Sequence, residues 1–121
     1  MSYEDPLVID SDQGRSRISE GIIMTIAKNA VKDVEGIVSI SGGFPDKVTS
    51  LFSRNTTTKG GVRIQKQLDH VTLNLSLVIS YGVPVPHLVE QAQQKVKKAV
   101  ESMTEIHVEE VNIYVHDLKV T

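Results

Sequence analysis

The stretch VTLNLSLVIS, residues 71–80, constrains this chain more than any other. Val71, Leu73, Leu75, Leu77 and Ile79 alternate with Thr72, Asn74, Ser76 and Ser80, the period-two pattern of a strand with one apolar and one polar face. Such a strand needs a layer of helices on one side only. Two segments supply it. Ile18, Ile22, Ile26, Ala30 and Val34 recur every four residues, with Ile23, Ala27 and Val31 beside them. Ser19 is placed to cap that helix, Glu20 suits its positive end, and Gly36 ends it. Pro86 opens a second helix, whose apolar side is read as Leu88, Val89, Ala92, Val96, Ala99, Val100 and Met103.

Residues 37–41, 61–69 and 108–118 read as further strands, the last with Val111, Ile113 and Val115 inward. Strands 61–69 and 71–80 form an antiparallel pair turning at Asp69-His70. Strand 71–80, the second helix and strand 108–118 form a β-α-β crossover. The expected fold class is therefore α+β. It is a two-layer sandwich, with a mixed, mostly antiparallel sheet and two helices on one face. The other face would be open, showing Arg63, Gln65, Gln67, Thr72, Asn74, Ser76, Asn112, Tyr114 and His116.

At 121 residues the chain fits one domain, assigned to 14–121. Residues 1–13, with four acids and no base, read as a mobile acidic arm, in which 7–9 could dock as an edge strand. A net charge of −2 predicts no pull towards nucleic acid or anionic lipid. No apolar run approaches the roughly 20 residues of a membrane helix, so no direct membrane insertion is expected. With no cysteine, thiol catalysis and thiolate metal ligands are excluded.

Other chemistry is equally sparse. His70, His87, His107 and His116 lack the i, i+3 or i, i+4 spacing of a helical metal motif. No G-x-S-x-G elbow occurs, and Gly42-Gly43 and Gly60-Gly61 lack the spacing of a phosphate loop. Glu109 and Glu110 are adjacent, so a strand turns them to opposite faces. Lys95, Lys97 and Lys98 form a basic patch flanked by Glu90 and Glu101, read as a solvated helix face. The expectation is no enzyme, no catalytic residue, no metal and no cofactor.

The remaining anomaly is the connector at 42–61, GGFPDKVTSLFSRNTTTKGG, which holds both phenylalanines of the chain. Long connectors in compact domains are commonly functional or disordered. Phe44, Val48, Leu51 and Phe52 fall on one helical face, with 46–53 as a short amphipathic helix after Pro45. Two readings follow: a lid over one end of the core, or an apolar ridge for a partner protein. The polar SRNTTTKGG behind it reads as a flexible tether, and its three threonines have no assigned use. A second candidate surface, for self-association, is Gln65, Asn74, Asn112 and Tyr114 on the open sheet face. The alternative to a binding module is a small-molecule-sensing regulatory domain, with a pocket between the connector and Tyr81-Gly82.

The residues Ile18-Ser19, Ile26-Ala27, Val34-Glu35-Gly36-Ile37, Gly61-Val62, Tyr81-Gly82, Gln94, Val96, Val100 and Val111-Asn112-Ile113-Tyr114-Val115 stand in an order that resembles the alkaline-shock (Asp/Gls) family of mainly Gram-positive bacteria. The resemblance covers about residues 14–120. It implies a non-enzymatic cytoplasmic protein of the envelope stress response that associates with itself and with protein partners. A membrane-anchored family member is among those partners, which would place the chain at the membrane indirectly. The resemblance also implies a link to fatty-acid metabolism. Two departures stand out: the 42–61 connector, and MTEIHVEE in place of the family's Thr-Gly after the second helix.

Overall fold

A computed structural model describes residues 7–11, 14–40, 44 and 56–120. In chain order the elements are β1 (Leu7–Ser11), β2 (Gly14–Ile18), α1 (Glu20–Lys32), β3 (Ile37–Ile40), β4 (Thr56–Lys59), β5 (Val62–Lys66), β6 (His70–Ser80), α2 (Val85–Thr104) and β7 (His107–Lys119).

The alternating segment is the centre of the sheet. β7 runs parallel to β6 along its whole length, from His70 opposite His107 to Ser80 opposite Lys119. The other edge of β6 is shared. β5 pairs antiparallel with its first half and β3 with its second. Ile40 lies opposite Leu77 and Val62 opposite Leu75, so β3 and β5 are collinear. At Ser76, between them, the N–H bonds to the Gly61 carbonyl at 2.8 Å. The fold is thus the expected α+β sandwich, mostly antiparallel with one parallel β-α-β connection.

Both helices lie on the face carrying Val71, Leu73, Leu75, Leu77 and Ile79, all fully buried. Ser19 caps α1, its hydroxyl accepting from the Ile22 N–H. The buried row of α1 is Ile23, Ala27 and Val31, and Ile22 is exposed. Gly36, at φ 100°, ends the turn after α1 because a Cβ there would meet Leu88 Cδ1 at 2.7 Å. On α2 the inward side chains are Leu88, Ala92, Val96, Val100 and Thr104.

Four sequence expectations need correction. Met103 is 69% exposed, because the chain leaves α2 through Glu105 in the left-handed region and Thr104 turns inward instead. Val115 is 39% exposed, because β7 continues past the helical cover. Residues 56–59 are not a tether but strand β4, joined to β5 by a two-residue Gly60-Gly61 turn with φ 58° and 82°. That is the left-handed pair a tight hairpin requires. The centre of the polar sheet face is not open: Arg63, Asn74 and Ser76 are all buried.

Leu7–Ser11, within the stretch read as an acidic arm, pairs with Gly14–Ile18 as a separate two-stranded hairpin and not as an edge of the main sheet. The expected helix at 46–53 lies outside the described residues.

Candidate functional site

On the face away from the helices, one residue from each of four neighbouring strands falls in a single row: Thr58, Arg63, Asn74 and Asn112. The alternation of each strand puts a polar side chain there, and the row is wired internally. Arg63 Nε donates to Thr58 Oγ1 at 2.9 Å, and Asn112 Nδ2 donates to Asn74 Oδ1 at 3.0 Å. Asn74 Nδ2 in turn donates to Gln65 Oε1 at 3.2 Å. Burying polar groups without partners is costly, and this ladder is how the sheet places Asn74 at 2% exposure.

Phe44 lies over this row. Its ring meets Tyr114 edge-on, with centroids 5.4 Å apart, and the Arg63 guanidinium sits 4.2 Å from its centre. The stack combines an aromatic pair with a cation–π contact. Burial pushes the Arg63 pKa down and Tyr114 opposes the shift. Arginine stays protonated in proteins, so a positive charge is held beneath the ring.

The candidate residues therefore divide as follows. Phe44, Tyr114, Asn112, Asn74 and Gln65 form one contiguous surface, although they were read as two sites. Val48, Leu51 and Phe52 lie outside the described residues. Thr58 was missed, since nothing in a run of three threonines tells which faces the row.

Thr57, its neighbour, turns to the helical side. There its hydroxyl donates to Glu20 Oε2 at 2.8 Å, and Lys66 Nζ lies 3.6 Å from Glu20 Oε1. Glu20 is fully buried at the start of α1, so a carboxylate at the positive end of a helix ties the β4–β5 hairpin to the first helix.

At the far end of the sheet the His70 and His107 rings are 6.2 Å apart. His107 Nδ1 contacts Glu101 Oε2 at 3.1 Å and Nε2 contacts Glu109 Oε1 at 3.4 Å, and Glu101 also accepts from the Val108 N–H. His70 Nδ1 pairs with Asp69 at 3.0 Å and holds its carboxyl below the usual range. Among the described residues no three ligand-type side chains are arranged to hold a metal. Two shallow clefts of about 300 Å³ occur, one between α2 and β7 with Gln93, Lys97 and Glu110, the other between α1 and β3 with Lys28, Lys32 and Ile37. Neither lies at Tyr81-Gly82. No helix among the described residues is long and apolar enough to cross a membrane.

The chain is similar to YqhY of Bacillus subtilis, 26% identical over 106 residues that span 88% of this chain and 78% of that one. It is similar to YloU of the same organism, 27% identical over 110 residues, 89% and 91% of the two chains. A stress response regulator gls24 homolog of Streptococcus pyogenes is 26% identical over 107 residues, 88% of this chain and 60% of that protein. Among solved structures, two variants of MamM CTD, one in a nickel form, align at a TM-score of 0.50. They are 10% and 11% identical and cover 82% of this chain and 99% and 93% of theirs, a likeness of fold alone. The sequence profile of the alkaline-shock (Asp/Gls) family, described by a cell envelope-related function, matches residues 8–120, nearly the whole chain, and the protein belongs to that family.

Proposed function

We propose that this protein is a non-enzymatic interaction module of the cell-envelope stress response, docking protein partners on the polar sheet face. The observation that carries the reading is the contact of Phe44 with Tyr114 over Arg63. It joins the aromatic of the connector to the self-association set Gln65, Asn74, Asn112 and Tyr114 in one surface. Aromatic and arginine side chains are those that anchor interfaces, whereas the ladder beneath them is already satisfied and rigid. Val48, Leu51 and Phe52 follow Phe44 in sequence and extend the ridge of this proposal. The relatives' names, a stress response regulator homolog among them, support an envelope role. A membrane-anchored family member is the proposed partner, and a cytoplasmic protein held at the membrane through it the proposed location.

The test is a cross-linked pull-down from native lysate with wild type, Phe44→Ser and Tyr114→Ser, each variant checked for its fold. The expected result is a partner captured by the wild type and lost from both variants. Capture of the same proteins by all three would overturn the reading.

A further inference from the structure

The edge of β7 opposite β6 carries no strand among the described residues, and β7 is thirteen residues long. An unpaired edge offers its backbone groups to another strand. Which groups face outward follows from the ladder. The Ser76 N–H turns to the β5 side, so the odd-numbered residues of β6 serve β7. Across that parallel pair β7 answers with Glu110, Asn112 and Tyr114, leaving Val111, Ile113 and Val115 pointing out. The Gln93 side chain confirms the parity, reaching over the edge to donate to the Val111 carbonyl at 3.0 Å.

The side chains of β7 add a second regularity. Val108, Val111, Ile113, Val115 and Leu118 lie on the helical face, opposite Val71, Leu73, Leu75, Leu77 and Ile79. Two irregularities, which insert Glu109 and His116, set their spacing. The apolar positions therefore stand five and two residues before Ile113, and two and five after it. This pattern reads the same in both directions.

We propose that β7 pairs antiparallel with β7 of a second copy, about a two-fold axis at Ile113, so that one sheet runs through both molecules. The outward-facing residues then meet as hydrogen-bonded pairs, Ile113 with Ile113 and Val111 with Val115. The Val111 carbonyl has a second lone pair, so Gln93 keeps its bond. On the helical face the half-exposed Val115 and Leu118 of each copy cover Val111 and Val108 of the other. Other registers place apolar side chains opposite polar ones. On the polar face Glu110 meets His116 at both ends, a carboxylate against an imidazole. The same register sets Glu109 opposite Asp117, two acids that weaken the pair. Within one copy Glu109 is held by His107, and Asp117 Oδ1 accepts from the Leu118 N–H. This edge is separate from the docking face proposed above, and either proposal can fail alone.

The experiment is sedimentation equilibrium of the whole chain over micromolar to millimolar concentrations. The wild type is expected to dimerise and Val115→Pro to remain monomeric, since proline there removes an outward N–H and no bond to β6. Asp117→Lys is expected to tighten the dimer by about tenfold, because it turns two repulsive pairs into attractive ones. A fold defect could not mimic that gain. The chain has no cysteine, so Ile113→Cys is expected to give a covalent dimer on mild oxidation. Phe44→Ser is expected to leave the mass unchanged. A wild type monomeric throughout, an Asp117→Lys dimer no tighter than wild type, or an Ile113→Cys chain that stays uncrosslinked would each overturn the proposal.

Discussion

Thr57 donates a 2.8 Å hydrogen bond to the fully buried carboxylate of Glu20, linking an inserted hairpin to the first turn of α1. Removing the donor leaves a buried charge with one fewer partner. Thr57→Val is expected to destabilise the protein by about 1.5–3 kcal/mol, read from the urea midpoint at constant m-value. Thr56→Val is the control, expected within about 0.5 kcal/mol. Equal effects of the two would show that the bond to Glu20 contributes nothing.

Glu105 stands at φ 62°, the conformation in which helices usually end on glycine. Its N–H already bonds to the Glu101 carbonyl at 2.9 Å, so glycine keeps the hydrogen bond and loses the strain. Glu105→Gly should stabilise by about 0.5–1 kcal/mol, the relief of about 1–2 kcal/mol being offset by chain entropy. A lower thermal midpoint for this variant would contradict that account.

Arg63 depends on being arginine. Its planar group lies beneath Phe44 while Nε reaches Thr58. Lysine preserves the charge but neither the plane nor that bond. Arg63→Lys is expected to cost about 1–3 kcal/mol by chemical denaturation. In a Phe44→Ser background the cost should shrink by about 0.5–1 kcal/mol, the cation–π share, and full additivity would rule that contact out.

Asp69 is held below the usual carboxylate range, first by the hydrogen bond from His70. Its folded-state pKa is depressed, so any stability it adds is present above the unfolded value and lost as pH falls through the folded one. A carboxyl chemical-shift titration should place its midpoint below that of an ordinary aspartate. His70→Ala should move it back up, and an unmoved midpoint would remove the assigned cause.

The elements with a strict period were legible: β6 announced the layer arrangement, and Ser19, Gly36 and Pro86 marked the helix ends. What was not legible depended on contacts between distant segments. TTTK has neither alternating hydrophobicity nor an obvious turn before it, yet Thr57 and Thr58 face opposite sides of the sheet and serve Glu20 and Arg63. The buried Glu20 was read only as a dipole partner, because burial there comes from a hairpin more than thirty residues away. Likewise the polar face was taken for open. Alternation tells which way Asn74 points but not that Phe44 returns across its neighbours Arg63 and Tyr114. The two phenylalanine-and-amide surfaces thus became one only in three dimensions.

The collinear placement of β3 and β5 has a consequence for how this chain tolerates change. Ile40 and Val62 sit two positions apart along β6, so the segment between them leaves the sheet and re-enters it at almost the same place. The strand behaves as one beam with an expansion joint. Material added or removed at the joint shifts no register and touches no helix contact, and each doubling of its length costs only about 0.6 kcal/mol in closure entropy. Partner specificity can therefore be rewritten there while the core stays as it is.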